Sequence, residues 1–241
     1  MASIVDERGY NQGFVETPAS VVRLKRRARA IAEEMQPSTD GTTPVNILEI
    51  GSGTGEMALL LAQLTGARVT GVDLSQRFVE EARAKHRHPN LQFIVADLTK
   101  DTPKTDADRY QYIVGNGILH HLYHHLDVFL PALKCWLAPG GRLIFWEPNL
   151  WNPYIFCIFS LPPLRRLAKL EPDEMAFTAS FITKKLRNAG FGPVKVVLRD
   201  FLLPNTPARF IKSVITVGDR FEKIPVVKQL SQSVFITATL P

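Results

Sequence analysis

The chain has 241 residues, 45% of them hydrophobic and 22% charged, which excludes a disordered, collagen-like or membrane-spanning composition and leaves a globular protein of one domain with elaborations. A formal charge of +6 and a pI near 9.4 leave a polyanionic partner open. Cys135 and Cys157, the two cysteines, sit in apolar stretches, Met1 to Glu7 has no secretory-leader pattern, and no run reaches the roughly 18 apolar residues of a span, so a reduced cytoplasmic protein is expected.

In chain order, Gly9 to Val15 is aromatic and amide-rich. Val21, Val22, Leu24, Ala28 and Ile31 then recur at helical spacing, with Arg23, Lys25, Arg26, Arg27 and Arg29 between them. This predicts an amphipathic helix whose basic side is a solvated face. Anionic lipid head groups or an anionic substrate are the alternative; nucleic acid is disfavoured, since no recognised RNA-binding module accompanies the helix. Pro37 to Pro44 is a polar linker, which sets residues 1–44 apart from a domain at 45–241.

The chain is organised around Val45 to Ala58. Ile47, Leu48 and Ile50 form the short apolar run of a buried parallel strand. Gly51, Gly53 and Gly55 then allow a sharp turn and close approach of a ligand, and a helix over Met57–Leu64 would aim its free N–H groups at that ligand. A second strand, 68–72, ends on Asp73, whose carboxylate can accept both ribose hydroxyls. The glycines alone do not decide which nucleoside binds. Gly53, Gly55 and Ala58 also satisfy the dinucleotide pattern, which keeps an NAD-dependent oxidoreductase open.

Ser75 caps a helix over Gln76–Lys85, and a third strand over Leu91–Ala96 delivers Asp97. A fourth strand, Tyr110–Val114, runs into Gly115-Asn116-Gly117-Ile118. The sequence His120-His121-Leu122-Tyr123-His124-His125 follows, holding four of the six histidines. Metal-site spacing is absent (no H-E-x-x-H, no nearby cysteine), so no metal is expected. Next come a helix over Leu126–Leu137, a stop at Pro139-Gly140-Gly141 and a fifth strand over Arg142–Trp146. Glu147 falls at the strand's C-terminal end, where a side chain faces the ligand crevice, which makes it a substrate-side candidate. Residues 150–178 read as an insertion. They begin with an apolar, aromatic run to Leu164, add Arg165, Arg166 and Lys169, and are too proline-broken to cross a bilayer. A helix over Ser180–Asn188, strands over Val194–Leu198 and Val234–Thr239, and a largely helical Pro207–Leu230 complete the chain.

These segments, in this order, resemble the class I S-adenosylmethionine-dependent methyltransferases. The resemblance rests on Ile47–Gly55, Gly71–Ser75, Phe93–Leu98, Tyr112–Leu122 and Leu137–Phe145, and covers roughly residues 45 to 147. It implies an α/β, Rossmann-like, doubly wound seven-stranded sheet, mostly parallel with an antiparallel last strand. It also implies roles. Gly51, Ser52, Gly53 and Gly55 would form the cofactor loop, which Glu49 would orient together with the cofactor's methionine end. Asp73 and Leu74 would take the ribose and an adenine face, Asp97 the adenine amino group, and the Leu98 main chain the ring. Asn116 and Gly117 would flank the sulfonium, and Tyr10 and Gln12 would belong to a lid. Of the histidine pair, His121 is the better candidate for cofactor contact or proton removal, with His120 packing beside it; His120 and Glu147 remain candidate bases. A second ligand-binding acid at Asp97 counts against a dehydrogenase.

The expected activity is methyl transfer from S-adenosylmethionine to a small-molecule acceptor, hydrophobic or lipid-like on the strength of the 150–178 insertion. Peripheral membrane contact is a corollary of that insertion. RNA or protein methylation and a non-catalytic S-adenosylmethionine-binding protein remain as alternatives; oligomeric state and the identity of the methylated atom are open.

Overall fold

Apolar residues alternate between two faces of the strands, and each face is claimed by its own helices. In β1 (Asn46–Ile50), Ile47 joins one core and Leu48 and Ile50 join the other. In β5 (Leu137–Pro148), Ile144 and Trp146 face the first core, Leu143 and Phe145 the second. The computed structural model describes residues 16–35 and 45–241. It closes a single seven-stranded sheet with β2 (Arg68–Asp73), β3 (Leu91–Val95), β4 (Tyr110–Asn116), β6 (Val194–Arg199) and β7 (Ser233–Thr239). The order is β3-β2-β1-β4-β5-β7-β6; β7 runs antiparallel to both neighbours and the other pairings are parallel. This is the expected doubly wound sheet with an antiparallel last strand. The chain direction switches between β1 and β4, so a crevice opens there at the strands' C-terminal ends.

Helices α1 (Pro18–Glu34), α2 (Glu56–Thr65) and α3 (Gln76–Lys85) cover the first face through Ala28, Ile31, Met57, Leu61, Val79 and Ala82. Helices α4 (Leu126–Trp136) and α7 (Ala179–Asn188) cover the second through Leu130, Leu133, Ile182 and Leu186. Two strands are longer than their sequences suggest. β4 continues through Asn116, because Gly115 and Asn116 pair with Phe145 and Trp146. β5 reaches back to Leu137, which pairs with Tyr110 before an irregularity between Tyr110 and Tyr112. Pro139 and Gly140 therefore lie within an irregular strand and do not separate helix from strand.

The insertion contains two short helices, α5 (Pro153–Ser160) and α6 (Pro162–Leu167), divided at Leu161. Leu161 is extended, as a residue before proline prefers, and Pro162 opens the next helix. α8 (Ile211–Phe221) lies between β6 and β7.

The basic side of α1 departs from its expected solvated state. Thr17 and Ser20 form a capping box at its start, and the Thr17 hydroxyl donates to the Pro204 carbonyl. Arg23 and Arg27 then turn inward onto Asp200, at 2.7 and 3.1 Å. Arg27 also donates to Asn116 Oδ1 at 2.8 Å and Ser233 Oγ at 2.6 Å, with its guanidinium 5.2 Å from the Trp146 ring centre. Burial, with the neighbouring charge of Arg23, lowers its pKa to about 10, so it stays cationic at neutral pH. Cys135 is another departure: it is exposed on α4 although its sequence neighbours are apolar.

Candidate active site

Three glycines follow β1, each with a positive φ and each for a different reason. A Cβ on Gly51 (φ 63°) would come within 2.6 Å of the Ile118 side chain, so this glycine lets the β4 segment close over the loop. On Gly55 (φ 88°), the N-cap of α2, a Cβ would meet the Phe93 ring at 2.5 Å. Gly53 (φ 49°) has nothing near its Cβ position. It is the point where a ligand can rest on the main chain, and its N–H is already fixed by Asp73 Oδ2 at 2.9 Å. Asp73 Oδ1 accepts from the Ser75 N–H at 2.9 Å. Each carboxylate oxygen thus keeps a lone pair for a further donor.

Two polar atoms of this loop are buried without a hydrogen-bond partner: Glu49 Oε2 and Ser52 Oγ. Burial raises the Glu49 pKa well above the ordinary carboxylate range, and the negative charges of Glu56 and Asp73 add to the effect. Glu49 takes a main-chain hydrogen bond from Ala58, but its unpaired oxygen is costly unless a ligand completes it. At the next strand ends, Leu74 and Val95 are exposed apolar side chains. Asp97 Oδ1 accepts from the Thr99 hydroxyl and N–H, and Oδ2 meets Lys100 at 2.7 Å; these contacts hold its pKa low. The Leu98 side chain is buried in the second core, and its carbonyl accepts from the Trp136 indole at 3.3 Å.

Across the switch point, β4 ends at Asn116 and a 3-10 helix (Leu119–His125) starts after Gly117 (φ 75°). Its first N–H groups need acceptors, and Glu147 supplies them. Glu147 Oε1 accepts from the N–H groups of Ile118 and Leu119 at 3.0 and 2.7 Å. Oε2 takes the N–H and Nδ1 of His120 at 3.2 and 2.9 Å. Glu147 is 1% exposed. It is therefore no free substrate-side base: its oxygens are spent on building the turn that carries the histidines. His120 is buried as well, packed 4.1 Å from the His121 ring and edge-on to Phe159 of α5 at 5.9 Å.

His121 has its own carboxylate. Its Nδ1 lies 2.9 Å from Oε1 of Glu174, a residue 1% exposed at the far end of the insertion. The Met175 N–H donates to the His120 carbonyl at 3.1 Å and locks that end onto the histidine turn. Burial alone would lower the His121 pKa, but the Glu174 carboxylate outweighs it and the net shift is upward; Glu174 is shifted down in return. Ligand atoms of His120, His121 and Glu174 lie within 4.8 Å of one another, and among the described residues this is the group that could hold a metal ion. In this group Glu174 Oε1 lies 2.9 Å from His121 Nδ1, yet neither Glu174 oxygen has a hydrogen-bond partner among the described residues.

Against known proteins, residues 47–141 match the family model described as a methyltransferase domain. Residues 47–141 are thus similar to a methyltransferase domain. The chain is 35% identical over 138 residues to trans-aconitate 2-methyltransferase of Methylobacterium radiotolerans, covering 56% of this chain and 51% of that one. It is 27% identical over 176 residues to demethylmenaquinone methyltransferase of Chlorobaculum tepidum, covering 66% and 71%. A SAM-dependent methyltransferase structure from Archaeoglobus fulgidus shares the fold, with a TM-score of 0.61 at 17% identity over 92% of this chain and 94% of that one. The chain spans about half the length of the trans-aconitate relatives it matches.

The methyltransferase domain fits S-adenosylmethionine on its own geometry. Open space over Gly53, the remaining lone pairs of Asp73, the orphaned Glu49 and Ser52 oxygens and the exposed apolar Leu74 offer what a nucleoside with an amino-acid tail requires. Of the expected cofactor residues, Glu49, Gly51, Ser52, Gly53, Gly55, Asp73 and Leu74 gather at the β1 and β2 ends. Asp97 and Leu98 follow at β3, with only the Leu98 main chain on offer. Gly117 lies across the crevice. The Asn116 side chain is engaged with Arg27. Tyr10 and Gln12 lie outside the described residues. Sequence reading missed Glu174, Arg27 and Phe159; each reaches the site from a distant segment that carries no motif.

Proposed function

We propose that the chain transfers a methyl group from S-adenosylmethionine to a small, lipid-like acceptor, with His121 taking the acceptor's proton. The observation that carries this reading is the His121–Glu174 pair at the rim opposite the glycine loop. The cofactor supplies an activated methyl on a sulfonium, so the protein's task is alignment and exclusion of water. Gly51, Gly53, Asp73 and Glu49 would hold it. A base is needed only where the acceptor carries a proton at working pH, as a hydroxyl or carbon acid does. In this reading Glu174, whose Oε1 lies 2.9 Å from His121 Nδ1, would orient the imidazole and stabilise its protonated form. His120 and Glu147 position the turn. Their mutual pairing supports a structural role.

The relatives' names span a polyanionic acceptor, aconitate, and an apolar one, demethylmenaquinone. The lipid-like preference rests on this chain's own insertion, whose inner side places Phe159 against the histidines. RNA or protein methylation is not preferred, because the two inward arginines of α1 are committed to Asp200.

The test has two parts. S-adenosylmethionine and S-adenosylhomocysteine should raise the melting temperature and NAD should not; at 100 times its dissociation constant a ligand stabilises by about 2.7 kcal/mol. In turnover with a hydroxylated lipophilic acceptor, the rate should rise with pH through a His121 pKa lying above the ordinary histidine value. Glu174→Gln should move that limb to lower pH while lowering the plateau. An unmoved limb would remove His121 as the base.

A further inference from the structure

α5 has two unlike sides. Ile155 and Phe159, one helical turn apart, are buried with Ala176 against the histidine site. Flanking that buried stripe on either side, Tyr154 and Phe156 are each 51% exposed; Trp151, just before the helix, is 63% exposed, and Leu161 and Leu167, after it, are 45% and 80% exposed. Scattered exposed apolar residues need no explanation; this many along one short segment, with two aromatics on its helix, do. Arg166 and Lys169 are exposed beside them. Arg165 is not part of this surface. It donates inward to the carbonyls of Phe159, Glu171, Pro172 and Glu174 and clips the insertion shut. Asp173 is the exposed acid where the segment leaves.

We infer that this outer face docks on the surface of an anionic lipid bilayer. Trp and Tyr are the side chains that favour the membrane–water boundary, Leu and Phe insert beyond it, and Arg166 and Lys169 complement anionic head groups. No helix among the described residues is long and apolar enough to cross a membrane, so the segment lies on the bilayer. Through Phe159 and the Glu174 end of the insertion, the docked face is directly continuous with the histidine rim. The inference goes beyond the catalytic reading, and vesicle binding is measured without turnover.

The protein carries its own reporter. Of its three tryptophans, Trp136 and Trp146 are buried and Trp151 is exposed, so a change in emission on docking belongs to Trp151. The full chain would be sedimented with vesicles of phosphatidylcholine alone and with a phosphatidylglycerol fraction. The expected result is pelleting and a blue shift with the anionic vesicles. Trp151→Phe should pellet normally and lose the shift. Phe156→Ser with Leu167→Ser should weaken binding at least tenfold, and Arg166→Ser with Lys169→Ser about 30-fold on anionic vesicles, at roughly fivefold per basic residue. All these variants should keep the wild-type melting temperature and its rise with S-adenosylmethionine, which separates failure here from failure of the cofactor reading. Absence of pelleting, or pelleting indifferent to the two double variants, would overturn the inference. So would a stable dimer in solution that Leu167→Glu disperses, since a second copy of the chain would then own the face.

Discussion

The two rims of the crevice are built by different means. At the ends of β1 and β2 the work falls to the main chain: glycines in positive φ, an N–H held by Asp73, and carboxylates waiting on a ligand. At the ends of β4 and β5 it falls to side chains paired over long stretches of sequence, His120 with Glu147 and His121 with Glu174. A main-chain site tolerates only fixed spacing and small residues, so it leaves a local pattern. A side-chain site needs only that the fold bring two groups together, and it can be re-tailored for new acceptors without disturbing the first rim.

Breaking each rim separately sharpens this contrast. The largest effect expected is from His121→Ala, which should lower turnover by roughly 10²- to 10⁴-fold while leaving cofactor affinity unchanged in calorimetry. Asp73→Ala should do the reverse: it removes a charged acceptor of two hydrogen bonds and should weaken S-adenosylmethionine binding by roughly 100-fold. If both variants lost affinity equally, the division of labour would be wrong. Glu147→Gln should act on stability. It swaps an acceptor for a donor facing the His120 N–H and should cost about 2 kcal/mol, seen as a melting temperature lower by roughly 4–8 °C.

The smallest effect has the opposite sign. Glu49 is buried with its pKa raised, so between the unfolded and the folded pKa the folded apoprotein retains a proton that the unfolded chain releases. Its favourable contribution is complete below the unfolded carboxylate pKa and is lost as pH rises toward the folded one. Glu49→Gln should therefore stabilise the ligand-free protein at pH 8 by about 1 kcal/mol and weaken cofactor binding at the same time. A drop in both would show that Glu49 is satisfied without the cofactor. His121 obeys the same sign: its pairing with Glu174 stabilises below the ordinary histidine pKa, and that support fades as pH climbs through the raised value.

The sequence makes the first rim legible and the second only half so. The turn at Gly51–Gly55, Asp73 and the Ser75 cap all follow from residues a few positions apart. His120 and His121 stand out because histidines cluster there, yet nothing nearby says which is held by what. Glu147 looked free at a strand end; only the fold shows that the 3-10 helix starts beneath it and consumes its oxygens. Glu174 sits among Glu171, Pro172 and Asp173, and no local signal singles it out. The strand ends of β4 and β5 extend beyond their local patterns for a similar reason: pairing with a neighbour carries the strand through Gly115 and back through Pro139 against local preference. On α1, periodicity gave the helix but not the fate of Arg23 and Arg27, because Asp200 lies far away in the chain.

That last contact bears on how divisible the protein is. Arg27 joins the end of β4 through Asn116, the start of β7 through Ser233, and the residue after β6 through Asp200, all from a helix that precedes the first strand. A fragment starting at Val45 would contain the whole matched domain and every paired strand, yet would leave Asp200 without its cations and remove one of the cations packed on the Trp146 ring. Through these contacts α1 ties together three strand ends that the matched region 47–141 does not hold on its own.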